Sequence, residues 1–299
     1  MEILKVGLND SNQRIDKFIF KTFPKFSKSA VYKAIRTKKI KVNGKHVEIN
    51  HILKMEDRVF IYGFNNFVDK KRLINVWLYL NKNLAHLKRK YEDENLIVLH
   101  KPAGLKTQPD KLLQNSLITQ VWTYLSKKEE LNLNLENSFF PSFCFRLDIQ
   151  TQGLVVVAKN FNTLKILNNL IKNRKIKKFY ICLAHGYFKN SGETLINWLK
   201  KDENFNKSEV IKIQTKNSKK AVLTYKVLKQ FENYAKLQIE LKTGHHHQIR
   251  AQLSNLGHPI VCDLKYGSNV NCQMKWGCFK LVFNAKNTEL NYLNDLTIN

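Results

Sequence analysis

Residues 146–160 read RLDIQTQGLVVVAKN, and this stretch passes from polar to apolar character within a few positions. The continuous apolar run from Leu154 to Ala158 is typical of a buried strand. Arg146 and Asp148 come directly before that strand and after an aromatic stretch over residues 139–145. A buried Asp needs a cationic partner, or it stays protonated. The stretch therefore predicts a paired carboxylate at the entrance of a buried strand.

Other polar side chains interrupt apolar segments later in the chain. Tyr180 stands near the start of the segment KKFYICLAHG, which has the pattern of a second strand. The alternating segment AKLQIELKTG is followed by His245, His246, His247 and Arg250 at a predicted strand-to-helix turn. Such turns present side chains above a sheet edge, where functional sites commonly form, and the helix start favours phosphate or carboxylate groups.

These side chains can carry out chemistry together. Arg250 is a better partner for Asp148 than Arg146, because an Arg two residues away on an extended chain need not fold back. An Asp kept ionised by an Arg can act as a nucleophile. An aromatic hydroxyl such as that of Tyr180 can stack on a base and move a proton, and a free Arg can insert into an RNA stack.

Residues 13 to 62 have the pattern of a small α/β unit. Two short amphipathic helices are predicted, the second with Ser27 as its N-cap. Asn43-Gly44, flanked by apolar residues at alternate positions, is a strong signal for a β-hairpin. Residues 1 to 62 hold 14 Lys and Arg against 6 Asp and Glu, and the positive charge clusters near the second helix. This clustering favours a phosphate-binding surface made of Lys28, Lys33, Arg36, Lys38, Lys39, Lys41 and Lys45.

The remaining segments predict an α+β fold. Residues 63 to 88 are interpreted as a connector, and residues 89 to 299 alternate irregularly between strands and helices, unlike a doubly wound parallel sheet. NTLKILNNLIKN is predicted to be an amphipathic helix, and Gly257 to follow the end of the helix after Gly244. Residues 111 to 140 are expected to form an irregular surface excursion with some helical spacing.

Composition narrows the function classes. The net charge is +27, from 51 Lys and Arg against 24 Asp and Glu, and such an excess attracts polyanions. No apolar run approaches the roughly 18 residues that a membrane helix needs, and the order of a signal peptide is not seen. The 5 cysteines, an odd number without a C-x-x-C pair, indicate reduced thiols and a cytoplasmic protein.

Four segments, in order, resemble pseudouridine synthases of the RluA/RluC/RluD class. They are HKPAGL (100–105), RLDIQTQGLVVVAKN (146–160), KKFYICLAHG (177–186) and TGHHHQIRAQLSNLGHPIVCDLKYG (243–267). RIDKFI, FSKSAVYKAI, KIKVNGK and MEDRVFIY similarly resemble the small RNA-binding module first described in ribosomal protein S-four. Together the two resemblances cover nearly all of the chain. They imply a catalytic domain with a mixed, mostly antiparallel sheet, flanking helices and a central cleft, plus an α/β RNA-binding domain.

The resemblance also implies roles for individual residues. Asp148 would be the catalytic aspartate, Tyr180 would stack on the target uracil and act as or assist the general base, and Arg250 would pair with Asp148. Arg146 would occupy the gap left by the flipped uridine. Whether Asp148 attacks the sugar or the ring stays open. Further substrate-site residues are Leu147, His245, His247 and Gln248.

Four positions depart from the usual family pattern. Phe145 replaces a His, Gln152 stands where Ser is common, His245 stands where Arg usually follows Gly, and Cys262 replaces a Gly. The change at residue 245 puts substrate affinity in doubt, because it removes a cation, but it leaves the reaction type unaffected.

The alternatives are a metal-dependent reaction, a different RNA target and a protein without catalytic activity. His245 to His247 with Cys272 and Cys278 would suit a metal-dependent RNA hydrolase, but adjacent His side chains diverge and the Cys spacing is uncommon for zinc. No metal and no cofactor are therefore expected, since uridine isomerisation transfers no electrons and loses no group. The expected partner is RNA, most often large-subunit ribosomal RNA, with no membrane partner and a monomeric state. A transfer-RNA target, or a non-catalytic ribosome-assembly factor, is the alternative.

Overall fold

The computed structural model describes residues 1–23, 26–63, 74, 87–110, 115–131 and 136–299. Within these residues two β-sheets each pack against their own apolar cluster, and the predicted α+β class is confirmed. Most of the predicted connector over residues 63–88 lies outside the described residues, so the domain boundaries stay a prediction. Among the described helices, none has the length and apolar character needed to cross a lipid bilayer.

The N-terminal sheet has four strands in the order β1-β4-β2-β3. Asn43 and Gly44 have φ values of 50° and 77° and join β2 to β3 in the predicted hairpin, since a turn of this kind needs positive φ at both positions. The hydroxyl of Ser27 accepts a hydrogen bond from the Ala30 N–H at 3.2 Å and caps the second helix as predicted. The elements are β1 (Glu2–Lys5), a 3-10 turn (Leu8–Asp10), α1 (Ile15–Thr22), α2 (Lys28–Arg36), β2 (Ile40–Val42), β3 (Lys45–His46) and β4 (Arg58–Ile61).

The second sheet has eleven strands within the described residues. Nine follow the order β11-β10-β12-β13-β9-β14-β8-β6-β5, while β15 pairs with β14 and β7 pairs with β8. The strands are β5 (Arg89–Glu92), β6 (Leu96–Lys101), β7 (Ser142–Phe143), β8 (Gln152–Ala158), β9 (Ile176–His185), β10 (Gly192–Asp202), β11 (Lys207–Ile211), β12 (Ser218–Gln230), β13 (Tyr234–Leu241), β14 (Gly277–Phe283) and β15 (Thr297–Ile298).

Three helices accompany this sheet in the described part of the chain. The predicted helix over NTLKILNNLIKN is confirmed, with Asn160 accepting a hydrogen bond from the Thr163 N–H at 2.8 Å, and Gly257 follows the last helix with φ of 86°. They are α3 (Leu117–Lys127), α4 (Phe161–Lys172) and α5 (Gln248–Asn255), with 3-10 turns at Leu264–Tyr266 and Asn291–Leu293. The expectation of an irregular excursion over residues 111–140 is wrong for α3, which buries seven side chains.

The two sides of the large sheet meet at a close contact between β8 and β14. This is the one parallel ladder in the described residues, and it pairs Gly277 with Gln152 and Cys278 with Gly153. A Cβ atom on Gly153, whose φ is 120°, would lie 2.1 Å from the carbonyl oxygen of Cys278. A Cβ atom on Gly277 would lie 2.1 Å from the carbonyl oxygen of Gln152. Only glycine at both positions allows the strands to approach this closely.

The N-terminal unit is attached to the segment before β7 through Asp10, which is completely buried. Its carboxylate accepts hydrogen bonds from the backbone N–H groups of Asn137 and Ser138 at 2.9 and 2.7 Å. The side chains of the same two residues donate at 2.7 and 2.6 Å. At the start of α4, the Phe161 N–H donates to the Asn9 side chain at 3.0 Å, and Lys21 Nζ lies 4.7 Å from the Phe161 ring centre. The buried Asp10 carboxylate, with its four hydrogen bonds, therefore fixes the position of the N-terminal unit against Asn137 and Ser138.

Replacing Gly153 by Ala should lower the free energy of unfolding by about 3 kcal/mol, because the new methyl group displaces the Cys278 backbone and the residue keeps an unfavourable φ. Gly257→Ala is the matched control. Gly257 also has positive φ, at 86°, but no atom lies within 4 Å of the added methyl group, so the loss should be only about 1 kcal/mol. Urea unfolding measures both, and equal losses would contradict the close contact.

Candidate active site

A cleft of about 1280 Å³ crosses the large sheet where β8, β9, β13 and β14 come together. Its lining includes residues of the loop before β8, the start of β9, the turn before α5 and the segment before β14. The predicted site residues that line it are Arg146, Leu147, Asp148, Tyr180, His245, His247, Gln248 and Arg250. The structure therefore brings together in one cleft residues that are separated by up to about a hundred positions in sequence.

Asp148 lies on the loop before β8 with one third of its side chain exposed, at 33%. Burial raises the pKa of this carboxyl group above its ordinary value, while Arg250, His246 and Lys101 act in the opposite direction. The Lys101 side chain is fully buried and donates hydrogen bonds to the carbonyl oxygens of Pro102, Leu105 and Ile149 at 2.9, 2.7 and 3.0 Å. Lys101 thereby ties the backbone next to Asp148 to the end of β6.

Arg250, on the first turn of α5, contacts two carboxylates at different distances. Its Nε and Nη2 groups donate to the two carboxylate oxygens of buried Asp263, both at 2.7 Å. Its Nη1 group lies 3.9 Å from the Asp148 carboxylate, so this pair is an ionic contact without a close hydrogen bond. The guanidinium also lies 4.7 Å from the centre of the Tyr266 ring. The predicted Arg250–Asp148 pair is thus present only as a long contact, and the close partner is Asp263.

The three histidines before α5 have different surroundings. Burial and the nearby Arg250 lower the pKa of His247 to about 3, so its imidazole is neutral at pH 7. His247 has φ of 51°, its Nδ1 lies 3.0 Å from the Tyr266 hydroxyl, and its ring stacks on His246. His245 Nε2 lies 2.9 Å from the Lys220 carbonyl oxygen. His247 therefore supports the turn, and its 3.7 Å approach to Asp148 is not an ion pair.

Gln248 is the first residue of α5, and its side chain is almost entirely committed within the protein. Its amide oxygen accepts hydrogen bonds from the Thr243 hydroxyl at 2.9 Å and from the His245 N–H at 3.2 Å. Its amide nitrogen donates to the Gln252 side chain at 3.1 Å and to the Val222 carbonyl oxygen at 3.2 Å. These bonds hold the strand-to-helix turn in place beside the cleft.

Tyr180 forms part of the cleft wall from within β9. Its side chain is buried, and burial raises the pKa of the hydroxyl well above its ordinary value. The ring centre lies 6.2 Å from that of Trp276, at the start of β14. The phenol is therefore neutral at pH 7, which suits an aromatic wall better than an ionised base.

Arg146 and Leu147, the two residues before Asp148, differ in burial. Arg146 is exposed at the cleft, whereas Leu147 is buried and its carbonyl oxygen accepts a hydrogen bond from the Thr107 hydroxyl at 2.8 Å. The seven predicted basic residues of the N-terminal unit are not part of the cleft lining. Lys41 is half-buried, 5.6 Å from the Tyr62 ring centre, and the other six are exposed.

Sequence reasoning missed several residues of the site. Asp263 and Tyr266 lie inside the family-like segment 243–267, but no spacing rule links them to Arg250. Lys101 lies in HKPAGL and could have been noticed as a Lys inside a buried strand. Trp276 lies outside all four family-like segments and carries no local signal.

Two of the five cysteines are neighbours in this fold. Cys262 and Cys272 have Cα atoms 5.1 Å apart, and the expectation of reduced thiols stays a prediction. The turn around Gly267 brings them together, which their spacing of ten residues does not reveal. Among the described residues, no group of three His, Cys, Asp or Glu side chains is arranged to hold a metal ion.

Comparison with known proteins identifies the class. A family model described as RNA pseudouridylate synthase matches residues 95–255, and the S4 domain model matches residues 13–59. The chain belongs to the RNA pseudouridylate synthase family and carries an N-terminal S4 domain. It is an enzyme, an isomerase that forms pseudouridine in RNA.

Individual relatives agree with this assignment. An "uncharacterized RNA pseudouridine synthase" of Mycoplasma capricolum is 32% identical, covering 98% of this chain and 95% of the relative. The ribosomal large subunit pseudouridine synthase C of Buchnera aphidicola (from Acyrthosiphon pisum) is also 32% identical, over 90% of this chain and 82% of the relative. The solved structure of human RNA pseudouridylate synthase domain containing 1 shares the fold, with a TM-score of 0.56 and 22% identity over 68% of this chain and 80% of that chain.

Replacing Asp263 by Asn should leave the buried Arg250 without its close counter-charge and lower the free energy of unfolding by about 3 kcal/mol. Asp202→Asn is the control, because Asp202 lies at the end of β10 and accepts hydrogen bonds from the Asn204 and Phe205 N–H groups of an exposed turn. Thermal unfolding should show a large loss for the first variant and a small one for the second. A silent Asp263→Asn would contradict the importance of the pair.

Proposed function

We propose that this enzyme isomerises a specific uridine of large-subunit ribosomal RNA, with Asp148 as nucleophile and with the target base flipped into the cleft. The observation that carries the proposal is that Asp148, Tyr180 and Arg250 line one cleft although they lie on three separate elements. The large-subunit target is supported by the name of the Buchnera relative, a ribosomal large subunit pseudouridine synthase. The cytoplasmic location and the monomeric state stay predictions.

The isomerisation of uridine requires a nucleophile and a pocket that fits the uracil ring. The bond between the sugar C1′ and the uracil N1 breaks, uracil turns, and a bond between C1′ and C5 forms. The proton leaves C5, and N1 gains one, so no electrons are exchanged. Asp148 is suited to the nucleophilic step because its carboxylate lines the cleft, with Arg250 Nη1 3.9 Å away instead of in a close hydrogen bond.

The other residues bind and orient the target in this proposal. Tyr180 presents its neutral ring as a stacking surface for the uracil, while proton removal by its hydroxyl would require an ionisation that burial opposes. Arg250 lends positive charge to Asp148 from 3.9 Å. Arg146, exposed at the same turn, fills the gap in the RNA stack. Extruding the base costs a few kcal/mol, which contacts between the basic surface and RNA phosphates offset.

Replacing Asp148 by Asn should abolish pseudouridine formation while RNA binding persists. Mass spectrometry after carbodiimide labelling measures the product, and filter binding measures the complex. Glu240→Gln is the control, because Glu240 is another carboxylate in the cleft lining and pairs with Lys242. Full turnover by the Asp148 variant would contradict the proposal.

The raised pKa of Asp148 leads to two further expectations, one for the activity of the wild type and one for the stability of the Asp148→Asn variant. Activity should fall on acidification at a pH above the ordinary Asp value of 3.8, because the carboxyl group gains a proton there. A pKa raised by folding means that ionisation opposes folding at any higher pH. The Asp148→Asn variant should therefore melt at a higher temperature than the wild type at pH 7. A lower melting temperature would contradict the stated pKa direction.

The basic surface of the S4 domain should bind RNA phosphates. Replacing Lys33, Arg36 and Lys38 by Gln should weaken RNA binding and reduce the slope of log affinity against log salt by about 0.7 to 0.9 for each phosphate that the variant no longer neutralises. The control replaces Lys226, Lys229 and Lys236, which are exposed and not part of the cleft lining. Fluorescence anisotropy over a salt series measures both, and an unchanged slope in the first triple variant would contradict this role.

The target is tested by mapping pseudouridines in total RNA from cells with and without the protein. The proposal expects a site in large-subunit ribosomal RNA that disappears with the protein and returns with the wild-type gene. Loss confined to transfer RNA would overturn the target while leaving the reaction intact. No change in any RNA would overturn both.

A further inference from the structure

Two buried polar atoms of the cleft have no hydrogen-bond partner among the described residues. They are the hydroxyl oxygen of Thr151 and the indole nitrogen of Trp276. Both side chains line the cleft, and only 1% of Thr151 and 5% of Trp276 is exposed. Buried polar groups are nearly always paired, because an unpaired donor loses its bonds to water and gains nothing in exchange.

The close contact of β8 with β14 places these two residues beside each other. Gln152 pairs with Gly277 in the parallel ladder, and the Gln152 N–H donates to the Trp276 carbonyl oxygen at 3.4 Å. Thr151 and Trp276 each come one residue before this pair, so they stand at the entrances of adjacent strands. The two atoms therefore belong to one small region of the cleft.

This region adjoins the residues of the proposed chemistry. The Thr151 N–H donates to the Asp148 carbonyl oxygen at 3.1 Å, so the hydroxyl is carried by the same tight turn as the nucleophile. The Trp276 ring centre lies 6.2 Å from that of Tyr180, with the planes 31° apart. Trp276 is therefore a neighbour of the ring on which the uracil is proposed to stack.

We propose that the Trp276 N–H and the Thr151 hydroxyl bind the polar edge of the flipped uracil, with Trp276 donating to one of its carbonyl oxygens. This inference rests on the proposed function and deepens it. Uracil offers two carbonyl oxygens on either side of an N–H group, which matches one donor and one hydroxyl that can donate or accept.

Trp276 is the discriminating member of the pair. An indole N–H only donates, so it favours a carbonyl oxygen and opposes the amino group that cytosine carries in place of one of them. A site built to hydrogen-bond its substrate rejects an analogue that leaves the buried group unpaired. The Thr151 hydroxyl donates to a uracil oxygen in this proposal, so it contributes both to affinity and to the preference for oxygen over sulfur.

The test is Trp276→Phe, which removes the donor and keeps an aromatic ring. Single-turnover rates are measured on RNA oligonucleotides that carry uridine, 2-thiouridine or 4-thiouridine at the target position, because sulfur accepts hydrogen bonds more weakly than oxygen. The variant should lose about 10- to 100-fold in kcat/KM on uridine. The wild type should disfavour one of the two thio-substituted RNAs, and the variant should treat it like uridine.

Two further variants make the result specific. Trp198→Phe is the matched control, since Trp198 lies on β10 in the same sheet and is not part of the cleft lining, and its ratios should equal those of the wild type. Thr151→Val preserves shape and removes the hydroxyl, so it tests the same edge if Trp276→Phe fails to fold. It should weaken turnover of uridine and reduce the preference over the thio-substituted RNA.

The possible failures are distinguishable. If wild-type protein forms pseudouridine, but the Trp276 and Thr151 variants keep its ratio between uridine and both thio-substituted RNAs, the recognition proposal is overturned and the proposed function stands. A general loss of rate with unchanged ratios also overturns it, because that is the result of a structural role. If wild-type protein forms no pseudouridine in any RNA, the proposed function falls and the inference falls with it.

Discussion

The close approach of β8 and β14, where Gly153 faces Cys278 and Gly277 faces Gln152, is the constraint on which the rest of the catalytic unit depends. It joins β8 to β14 in the one parallel ladder of the described sheet and so connects the β5–β6–β8 side with the β9–β13 side. Because the strands touch backbone to backbone there, the loop before β8 and the segment before β14 emerge at the same point. The cleft, with Asp148 on one of these segments and Trp276 on the other, is the consequence of that junction.

The charge distribution in the cleft depends on the guanidinium of Arg250, which lies near the carboxylates of both Asp263 and Asp148. Asp263 is buried and takes both close hydrogen bonds of Arg250, while Asp148 remains at 3.9 Å. The buried pair satisfies the structural need for charge balance, and Asp148 keeps a raised pKa and an open carboxylate. Both carboxylate oxygens of Asp263 are occupied by Arg250, whereas the Asp148 carboxylate lines the cleft, where a substrate can reach it.

Much of the fold could be predicted from local patterns, but the partners in the site could not. The apolar run of β8, the Asn43-Gly44 turn and the Gly257 helix end are decided by neighbours in sequence, and the structure confirms them. Helix α3 was anticipated only as some helical spacing within an irregular excursion, although Leu117, Val121 and Leu125 recur at every fourth position. The position of Trp276 depends on which strands become adjacent, and the Arg250–Asp263 pair depends on how the segment after α5 folds back onto that helix. No local spacing encodes either.

The buried contact of Asp10 limits how RNA-binding modules can be exchanged between related enzymes. A carboxylate that receives four hydrogen bonds from Asn137 and Ser138 fits only a catalytic unit that offers those donors in that arrangement. An RNA-binding module grafted from a relative must therefore bring an acidic residue at this point, or be transplanted together with the Asn-Ser segment. A chimeric enzyme should therefore take Asp10, Asn137 and Ser138 from the same parent protein.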